Sequence, residues 1–179
     1  MKKGVGFVAS AVMAVAITLA APAQASGKKP VASPSIVDVA IAVNSEGPFA
    51  GFFDTLVAAV LAADPVVLHR LTTRGQSTVF APTDDAFAAL GLTPDNIGTA
   101  LSQEILTEIL LYHVAPGRRD SGDVLASEQI RTLQGGFIAQ AGGVLTDAAG
   151  NMINIIVTDV PAQNGIIHAI DGVLIPFGN

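Results

Sequence analysis

The sequence predicts an α+β domain, in which helices from the first half of the chain pack against an antiparallel sheet or twisted sandwich formed by the second half. Two observations support this. Up to about residue 113, apolar residues recur at intervals of three and four, which is the helical period. From Ala115 onward that period fades, and Gly, Asn and Asp separate short apolar runs typical of strands. No internal repeat and no long linker follows Ser35, so we expect a single domain.

The first 25 residues are typical of a signal peptide. Lys2 and Lys3 give a basic start, residues 5–20 are almost wholly apolar, and Ala23 and Ala25 place small side chains where a signal peptidase requires them. We predict cleavage after Ala25, export to the periplasm or the extracellular medium, and no membrane span after cleavage. A transmembrane anchor is the competing interpretation, but a span needs about 20 apolar residues and this run is shorter.

Residues 26–34 contain Gly, two Lys, two Pro and two Ser without an apolar period. This composition predicts a flexible leader, after which a single domain occupies residues 35–179. Cleavage leaves 154 of the 179 residues. That length suits one domain able to bury about 70% of its unfolded surface.

The helices of the first half are predicted from apolar spacing and from residues that favour helix starts. A polar side chain at the cap accepts hydrogen bonds from free N–H groups, and proline is tolerated in the first turn. In chain order we expect a helix capped by Ser35 that breaks at 44–48, a helix over about 49–62, a short helix capped by Asp64 that runs through Leu71, a helix capped by Thr83, and a helix over about 102–113.

The strands are short apolar runs bounded by turn-forming residues. We predict strands at 77–81, 129–133, 136–140, 143–146, 152–157, 166–170 and 173–175. Residues 147–151 are typical of a hairpin loop. Asn164 and Gly165 predict a tight turn, because both residue types tolerate positive φ.

The composition argues against several classes of function. Loss of Lys2 and Lys3 reduces nine basic residues to seven, against 15 acidic residues, so the net charge becomes −8 with histidine neutral. Proteins that bind nucleic acid carry basic stripes, so we expect no nucleic-acid partner. The chain has no cysteine. Disulfides, thiolate metal sites, thiol nucleophiles and a lipid-anchored amino-terminal cysteine are therefore excluded.

Paired carboxylates at Asp84 and Asp85 suggest acid–base or metal chemistry, but a structural interpretation fits better. Neighbouring residues on a helix point about 100° apart, so the two carboxylates do not converge on one atom. Acidic residues in the first turn interact favourably with the helix dipole. We therefore interpret both as residues that stabilise a helix start.

The three histidines, His69, His113 and His168, are the available zinc ligands. His113 shares a helix face with Ile109, and His168 shares a strand face with Ile170. We interpret these two as core histidines whose ring nitrogens bond to backbone or hydroxyl partners, and we expect no metal site.

Nucleophilic catalysis has no clear sequence signature in this chain. No G-x-S-x-G elbow surrounds any serine, and no glycine-rich phosphate-binding motif follows a strand. The one close His–Asp pair, His168 and Asp171, lies on opposite faces of a strand, so we interpret Asp171 as shaping the turn before Gly172. We expect no enzymatic activity and no cofactor.

Three segments follow the order of a known pattern: residues 78–87 (Thr-Val-Phe-Ala-Pro-Thr-Asp-Asp-Ala-Phe), 111–114 (Leu-Tyr-His-Val) and 164–174 (Asn-Gly-Ile-Ile-His-Ala-Ile-Asp-Gly-Val-Leu). They resemble the opening block, the Tyr-His motif and the closing block of the fasciclin domain. The resemblance covers nearly the whole mature chain, from Ser35 to Pro176. It implies an α+β fold with a twisted β-sandwich or wedge flanked by several α-helices.

For function, the resemblance implies a non-catalytic extracytoplasmic module for cell adhesion, matrix or envelope protein interaction. Some animal members use the Tyr-His region and an Asp-Ile pair ahead of the closing block to engage integrins. The matching residues here are Tyr112, His113, Asp159 and Val160, with valine in place of isoleucine and Pro161 after it. We expect them to contact a protein, matrix or envelope partner, with Tyr112 at the edge of its helix's buried stripe; the alternative is that Tyr112 belongs to the core.

The alternative function is a carrier that binds an apolar small molecule such as a pigment or lipid, because a wedge of helices on a sheet can open a groove. Aromatic residues make up 5% of the chain, with no Trp and one Tyr. The chain therefore offers few flat side chains with which to stack a conjugated ligand.

Overall fold

The computed structural model describes residues 34–45, 49–73 and 75–178. The predicted signal peptide and residues 26–33 of the predicted leader lie outside these described residues, so both stay predictions. Within the described part, the α+β architecture predicted from the sequence is confirmed.

The described residues form seven helices and seven strands. The helices are α1 (Ile36–Ser45), α2 (Asp54–Ala62), α3 (Pro65–Thr72), α4 (Asp84–Ala88), α5 (Ile97–Ala100), α6 (Gln103–Tyr112) and α7 (Ser121–Ala126). The strands are β1 (Ser77–Pro82), β2 (Val114–Pro116), β3 (Gln129–Arg131), β4 (Phe137–Ala141), β5 (Val144–Thr146), β6 (Met152–Ala162) and β7 (Gly165–Ile170).

No single helix of the described residues has the length and apolarity to cross a bilayer. Only α2 and α3 taken together reach that length, and they are bent by 117° at the break between them.

The strands form one sheet in the order β2-β1-β7-β6-β5-β4-β3. All neighbours are antiparallel except β1 and β7, which run parallel. The antiparallel sheet predicted from the sequence therefore needs this one correction. β6 pairs with β5 at Asn154 and with β7 at Ala162, so it belongs to both halves of the sheet. The backbone N–H of Leu133 donates to Val114 O over 2.7 Å, which brings the two ends of the sheet together.

The central strands β1 and β7 separate two hydrophobic cores. Val79 and Ile167 face the helices and belong to a helical core with α1 to α6. Phe80 and Ile170 point to the opposite side, into a sandwich core enclosed by the two halves of the sheet. Every residue of β1 and β7 is buried. Burial on both faces explains why these strands are almost continuously apolar.

The start of α2 is capped by a residue that was predicted to stabilise the start of another helix. Thr83 occupies the cap position of α4, but its side chain makes no capping hydrogen bond. The carboxylate of Asp84 accepts hydrogen bonds from the backbone N–H groups of Asp54 at 3.2 Å and Thr55 at 2.8 Å. Asp84 therefore caps α2 from a distance. This is why α2 begins at Asp54 instead of residue 49.

The hairpin between β6 and β7 also differs from its prediction. The turn residues are Gln163 and Asn164, and neither they nor Gly165 has positive φ. Glycine is required at 165 because a Cβ atom there would overlap the carbonyl oxygen of Ser77 on β1. Close approach of two backbones, and not turn conformation, therefore accounts for this glycine.

Four further elements were misassigned from the sequence. The helices α5 and α7 and the strand β2 were not predicted, and residues 173–175 do not form a strand. Residues 173–178, here called the terminal segment, are instead held by single hydrogen bonds. Leu174 N–H donates to His113 Nε2 at 2.9 Å, and Ile175 N–H donates to Asp147 Oδ2 at 2.8 Å.

Candidate functional site

Tyr112 does not lie at an exposed edge, and the expectation that it does is wrong. Its side chain is fully buried in the sandwich core, and its hydroxyl donates to Phe137 O over 2.7 Å. Burial raises the pKa of Tyr112. A Cβ atom at Gly136 would come within 3.0 Å of the ring, so glycine there leaves room for it. Tyr112 therefore joins α6 to β4, and a partner does not reach its ring without opening the core.

His113 is buried between α6 and the terminal segment, as predicted for a core histidine. Its Nδ1–H donates to Ile109 O over 2.8 Å, and its Nε2 accepts from Leu174 N–H. These two bonds fix the neutral tautomer that carries the proton on Nδ1. Burial lowers the pKa of His113 to about 4. Both ring nitrogens are used internally, so this residue has no free group for a partner.

His168 is the second predicted core histidine, and its burial is likewise confirmed. Its Nδ1 accepts from Asp159 N–H over 3.2 Å, and its Nε2–H donates to Arg119 O over 3.0 Å. The ring stacks on Phe80 at a centroid distance of 5.8 Å. Asp171 accepts both of its hydrogen bonds from Asn154, so it does not form a catalytic pair with His168.

Asp159 is exposed and has an unusual backbone. Among the described residues it is the only non-glycine residue with positive φ, at 62°, and it lies where β6 bulges between Val157 and Val160. The bulge turns its carboxylate toward α7, where Oδ1 accepts from Ser121 N–H over 2.8 Å. Hydrogen bonding to Ser121, first from its side chain and then from its backbone N–H, holds the pKa of Asp159 below its usual value. The bulge therefore presents an ionised carboxylate in a fixed orientation.

Residues 117–121, here called the crossing segment, run across β1, β7 and β6 in turn. Thr78 Oγ1 on β1 donates to Gly117 O at 2.8 Å and accepts from Arg119 N–H at 2.9 Å. The crossing segment then bonds to His168 on β7 and to Asp159 on β6. Three successive strands thus hold one exposed segment through their side chains.

Arg118 fixes the crossing segment to the β6–β7 hairpin. Its Nη1 donates to Ala162 O at 3.1 Å and to Gly165 O at 3.0 Å. Arg118, Asp120, Asp159 and Pro161 are all exposed. We call these four residues, with the half-buried Val160, the bulge surface.

The four residues predicted to bind a partner do not form one site. Tyr112 lies in the sandwich core, whereas Val160 packs against the helical core on the other side of the central strands. His113 is enclosed, and only Asp159 presents polar atoms to solvent. Partner binding through these residues stays a prediction. Of the four, only Asp159 and Val160 are accessible from solvent.

Of the bulge surface, only Asp159, Val160 and Pro161 could be singled out from the sequence. Arg118 and Asp120 lie in a polar stretch, residues 117–121, that has no apolar period. Their placement depends on the crossing segment, which is defined by contacts with residues 38 to 49 positions away in the chain. Pro161 before a turn was the available signal, because proline favours exposed strand edges.

The potential metal-ligating side chains are not clustered in the part of the chain that the structure describes. No group of three or more His, Asp or Glu side chains there is arranged to hold a metal ion. Every buried side-chain nitrogen or oxygen in the same ranges has a hydrogen-bond partner. The buried carboxylate of Asp147, for example, accepts four hydrogen bonds from Ala149, Asn151 and Ile175.

Two apolar cavities lie between α1 and the helix-facing side of the central strands. The larger, of about 100 Å³, extends toward α2 and α3, with Leu56 and Leu68 in its wall. The smaller, of about 30 Å³, extends toward β6. Ala40, Ala81 and Ile167 line both cavities. The sequence did not predict where such a space would lie, because it forms where several elements fail to fill the gap beneath α1.

Comparison with known proteins gives consistent results. The family model for the fasciclin domain matches residues 51–176. The chain is 38% identical over 153 residues to Protein sll1483 of Synechocystis sp., covering 83% of this chain and 81% of that protein. It is 35% identical over 127 residues to the transforming growth factor-beta-induced protein ig-h3 of Sus scrofa, covering 71% of this chain and 18% of that protein.

A solved structure has a similar fold. It is a FAS1 domain pair from the insect cell adhesion molecule fasciclin I, with a TM-score of 0.50 and 23% sequence identity over 65% of this chain and 42% of that one. At this level of identity the similarity concerns the fold.

Proposed function

The chain belongs to the fasciclin domain family, and on that premise we propose that it is a non-catalytic extracytoplasmic module that binds a protein, matrix or envelope partner. The proposal is supported by the family and by the similar fold of a cell adhesion molecule. The predicted signal peptide supports a location in the periplasm or outside the cell.

The observation that carries the proposal is the conformation of Asp159. A non-glycine residue at positive φ costs of order 1–3 kcal/mol, and such residues cluster at active sites, ligand clamps and switch regions. Here the bulge is braced by His168 from below and by Ser121 from the side. The surrounding structure thus holds an exposed carboxylate in place, and this carboxylate forms no salt bridge within the described residues.

The bulge surface suits a partner that offers a basic or hydrogen-bond-donating side chain to Asp159 and apolar contacts to Val160 and Pro161. Pro161 has no N–H group, so it leaves no unpaired donor at the interface. A stable interface buries about 800 Å² per partner, so neighbouring residues outside the bulge surface must also take part. Tyr112 and His113 contribute indirectly, by holding α6 and the sandwich core in place.

Chemical cross-linking of the protein in its native envelope or medium, followed by mass spectrometry, tests this proposal. Cross-links from a partner to residues 118–121 or 159–163 support it. Cross-links concentrated on α5 and α6, with none at the bulge surface, would count against it.

A second candidate function is the carrier, and the cavities beneath α1 favour it. Their walls are apolar apart from His113, and both nitrogens of that ring are already bonded to backbone groups. Apolar cavities in proteins accept apolar molecules, and these two open partly to the surface. Extraction of the native protein with organic solvent, followed by mass spectrometry and an absorption spectrum, tests this candidate.

A further inference from the structure

The two apolar cavities share a common wall. Ala40 on α1, Ala81 on β1 and Ile167 on β7 line both of them. The larger cavity leads from this point to Leu61 and Leu68, and the smaller leads to Val157 and Val160 on β6. The two cavities therefore adjoin along a path on the face of the central strands, which passes beneath α1 at these three residues.

Helix α1 covers this path and is attached by polar contacts at its two ends. At the start of α1, the Ile36 N–H donates to Asn164 Oδ1 over 2.8 Å. At its end, Asn44 accepts from Phe53 N–H over 2.8 Å and donates to Asp54 over 2.7 Å. Its inward side between these points is apolar. The middle of the helix is thus held only by apolar packing, which is not directional.

We propose that the two cavities are the two halves of one channel that binds an elongated, uncharged apolar chain, with α1 as its cover and Ala40 at the junction of the two halves. This inference rests on the carrier function proposed above. It adds the shape of the ligand and the residue that limits its passage.

Charge and size support this class of ligand. No charged side chain lines either cavity, and the chain has a net charge of −6, so an anionic headgroup finds no counterion there. Cavities of about 100 and 30 Å³ are smaller than the roughly 300–1,000 Å³ of common ligand sites. A long chain therefore has to push α1 outward, and a slender chain needs the smallest displacement. Exposed Ile41 and Leu61 extend the apolar wall to the surface.

A fluorescence titration tests the inference. Diphenylhexatriene is an uncharged, rod-shaped fluorophore that emits strongly only in apolar surroundings. We expect saturable binding to the mature protein. Ala40→Phe fills the junction and should weaken binding at least tenfold. Ala42→Phe makes the same substitution at an exposed position of the same helix, and should bind as the unmodified protein does.

Competition with alcohols gives a second measurement that needs no variant. Displacement of the fluorophore should strengthen with chain length from octanol to hexadecanol. Decanol should displace it at least tenfold better than adamantanol, which has the same number of carbons in a compact cage.

The outcomes separate the inference from the function on which it rests. If neither fluorophore nor alcohols bind to the unmodified protein, the carrier function fails. If they bind but Ala40→Phe and Ala42→Phe are equal, the channel is overturned and the carrier function survives. Should Ala40→Phe fail to fold, as judged by its melting curve, equal competition by decanol and adamantanol overturns the channel instead.

Discussion

His113 accepts a hydrogen bond from the backbone N–H of Leu174 over 2.9 Å, and this bond links residues 61 positions apart in the chain. The other ring nitrogen is bonded to Ile109 O one helical turn earlier. A single neutral imidazole therefore fastens the end of α6 to the terminal segment. Protonation would remove the acceptor that Leu174 needs, so this link is sensitive to pH.

Stability should fall as the pH drops from about 6.5 to about 4. His113 has a folded-state pKa of about 4, lowered from 6.5 by burial. The unfolded chain therefore takes up a proton first, so the contribution is complete above pH 6.5 and is lost on the way down to pH 4. From about 1.4 kcal/mol per pKa unit, the loss is about 3 kcal/mol.

Urea unfolding at several pH values checks this expectation. Carboxylates titrate near the lower end of the range, so the comparison is with His113→Gln, which lacks the ionisable ring. The unmodified protein should lose more stability than the variant between pH 6.5 and 4.5. Parallel pH profiles for the two proteins would show that His113 is not responsible.

Removal of the other buried imidazole should also destabilise the fold. His168→Ala leaves Asp159 N–H and Arg119 O without their partners, which should lower the free energy of unfolding by about 1–3 kcal/mol. His69→Ala, at an exposed position, should change it by less than about 0.5 kcal/mol. Denaturant melts measure both. Addition of a chelator should shift neither curve, and a shift would indicate a bound metal.

Asn164 should be among the least replaceable polar residues. Its buried amide accepts from Ile36 N–H at the start of α1 and donates to Leu71 O and Thr73 O at the end of α3. Asn164→Ala leaves these groups unpaired, and we expect a loss of about 2–4 kcal/mol.

The control variant for Asn164→Ala is Gln163→Ala, at the exposed neighbouring position of the same turn. This substitution should change the free energy of unfolding by less than about 0.5 kcal/mol. Thermal or urea melts of both variants provide the test. Equal melts would mean that the hairpin does not hold the two helices.

The contact between β1 and β7 predicts a severe effect of a small substitution. A methyl group at Gly165 would overlap Ser77 O, so Gly165→Ala should separate the strands and cost about 3 kcal/mol or more. Gly75→Ala is the matched change, because a Cβ atom there meets nothing within 4 Å. If both variants expressed and melted like the unmodified protein, the parallel pairing at Gly165 would be incorrect.

Much of this fold could be predicted because local signals and packing agree. The strand predicted at 77–81 is a short apolar run, and the helix predicted over 102–113 has a clear apolar period. The cap predicted at Asp64 accepts from Val66 N–H, only two residues along the chain. The core positions of His113 and His168 were predictable for the same reason, since each shares a face with apolar neighbours.

The remaining features depend on residues far apart in the chain. Asp84 caps α2 because the fold brings its carboxylate to the backbone N–H of Asp54. No local sequence pattern predicts this contact. Tyr112 was placed at an edge from helical spacing alone, whereas its ring is buried by β4, which follows in the sequence. The bulge surface likewise requires the crossing segment to pass over three strands.

The central claim is that the bulge surface binds a macromolecular partner through Asp159. Asp159→Asn tests the charge alone, because the amide oxygen can still accept from Ser121 N–H and asparagine tolerates positive φ. Asp95→Asn removes the same charge at an exposed position away from this surface. The measurement is the affinity of each folded variant for the partner identified by cross-linking. We predict a loss of at least about tenfold for Asp159→Asn and none for Asp95→Asn, whereas equal affinities for both variants and the unmodified protein would contradict the account.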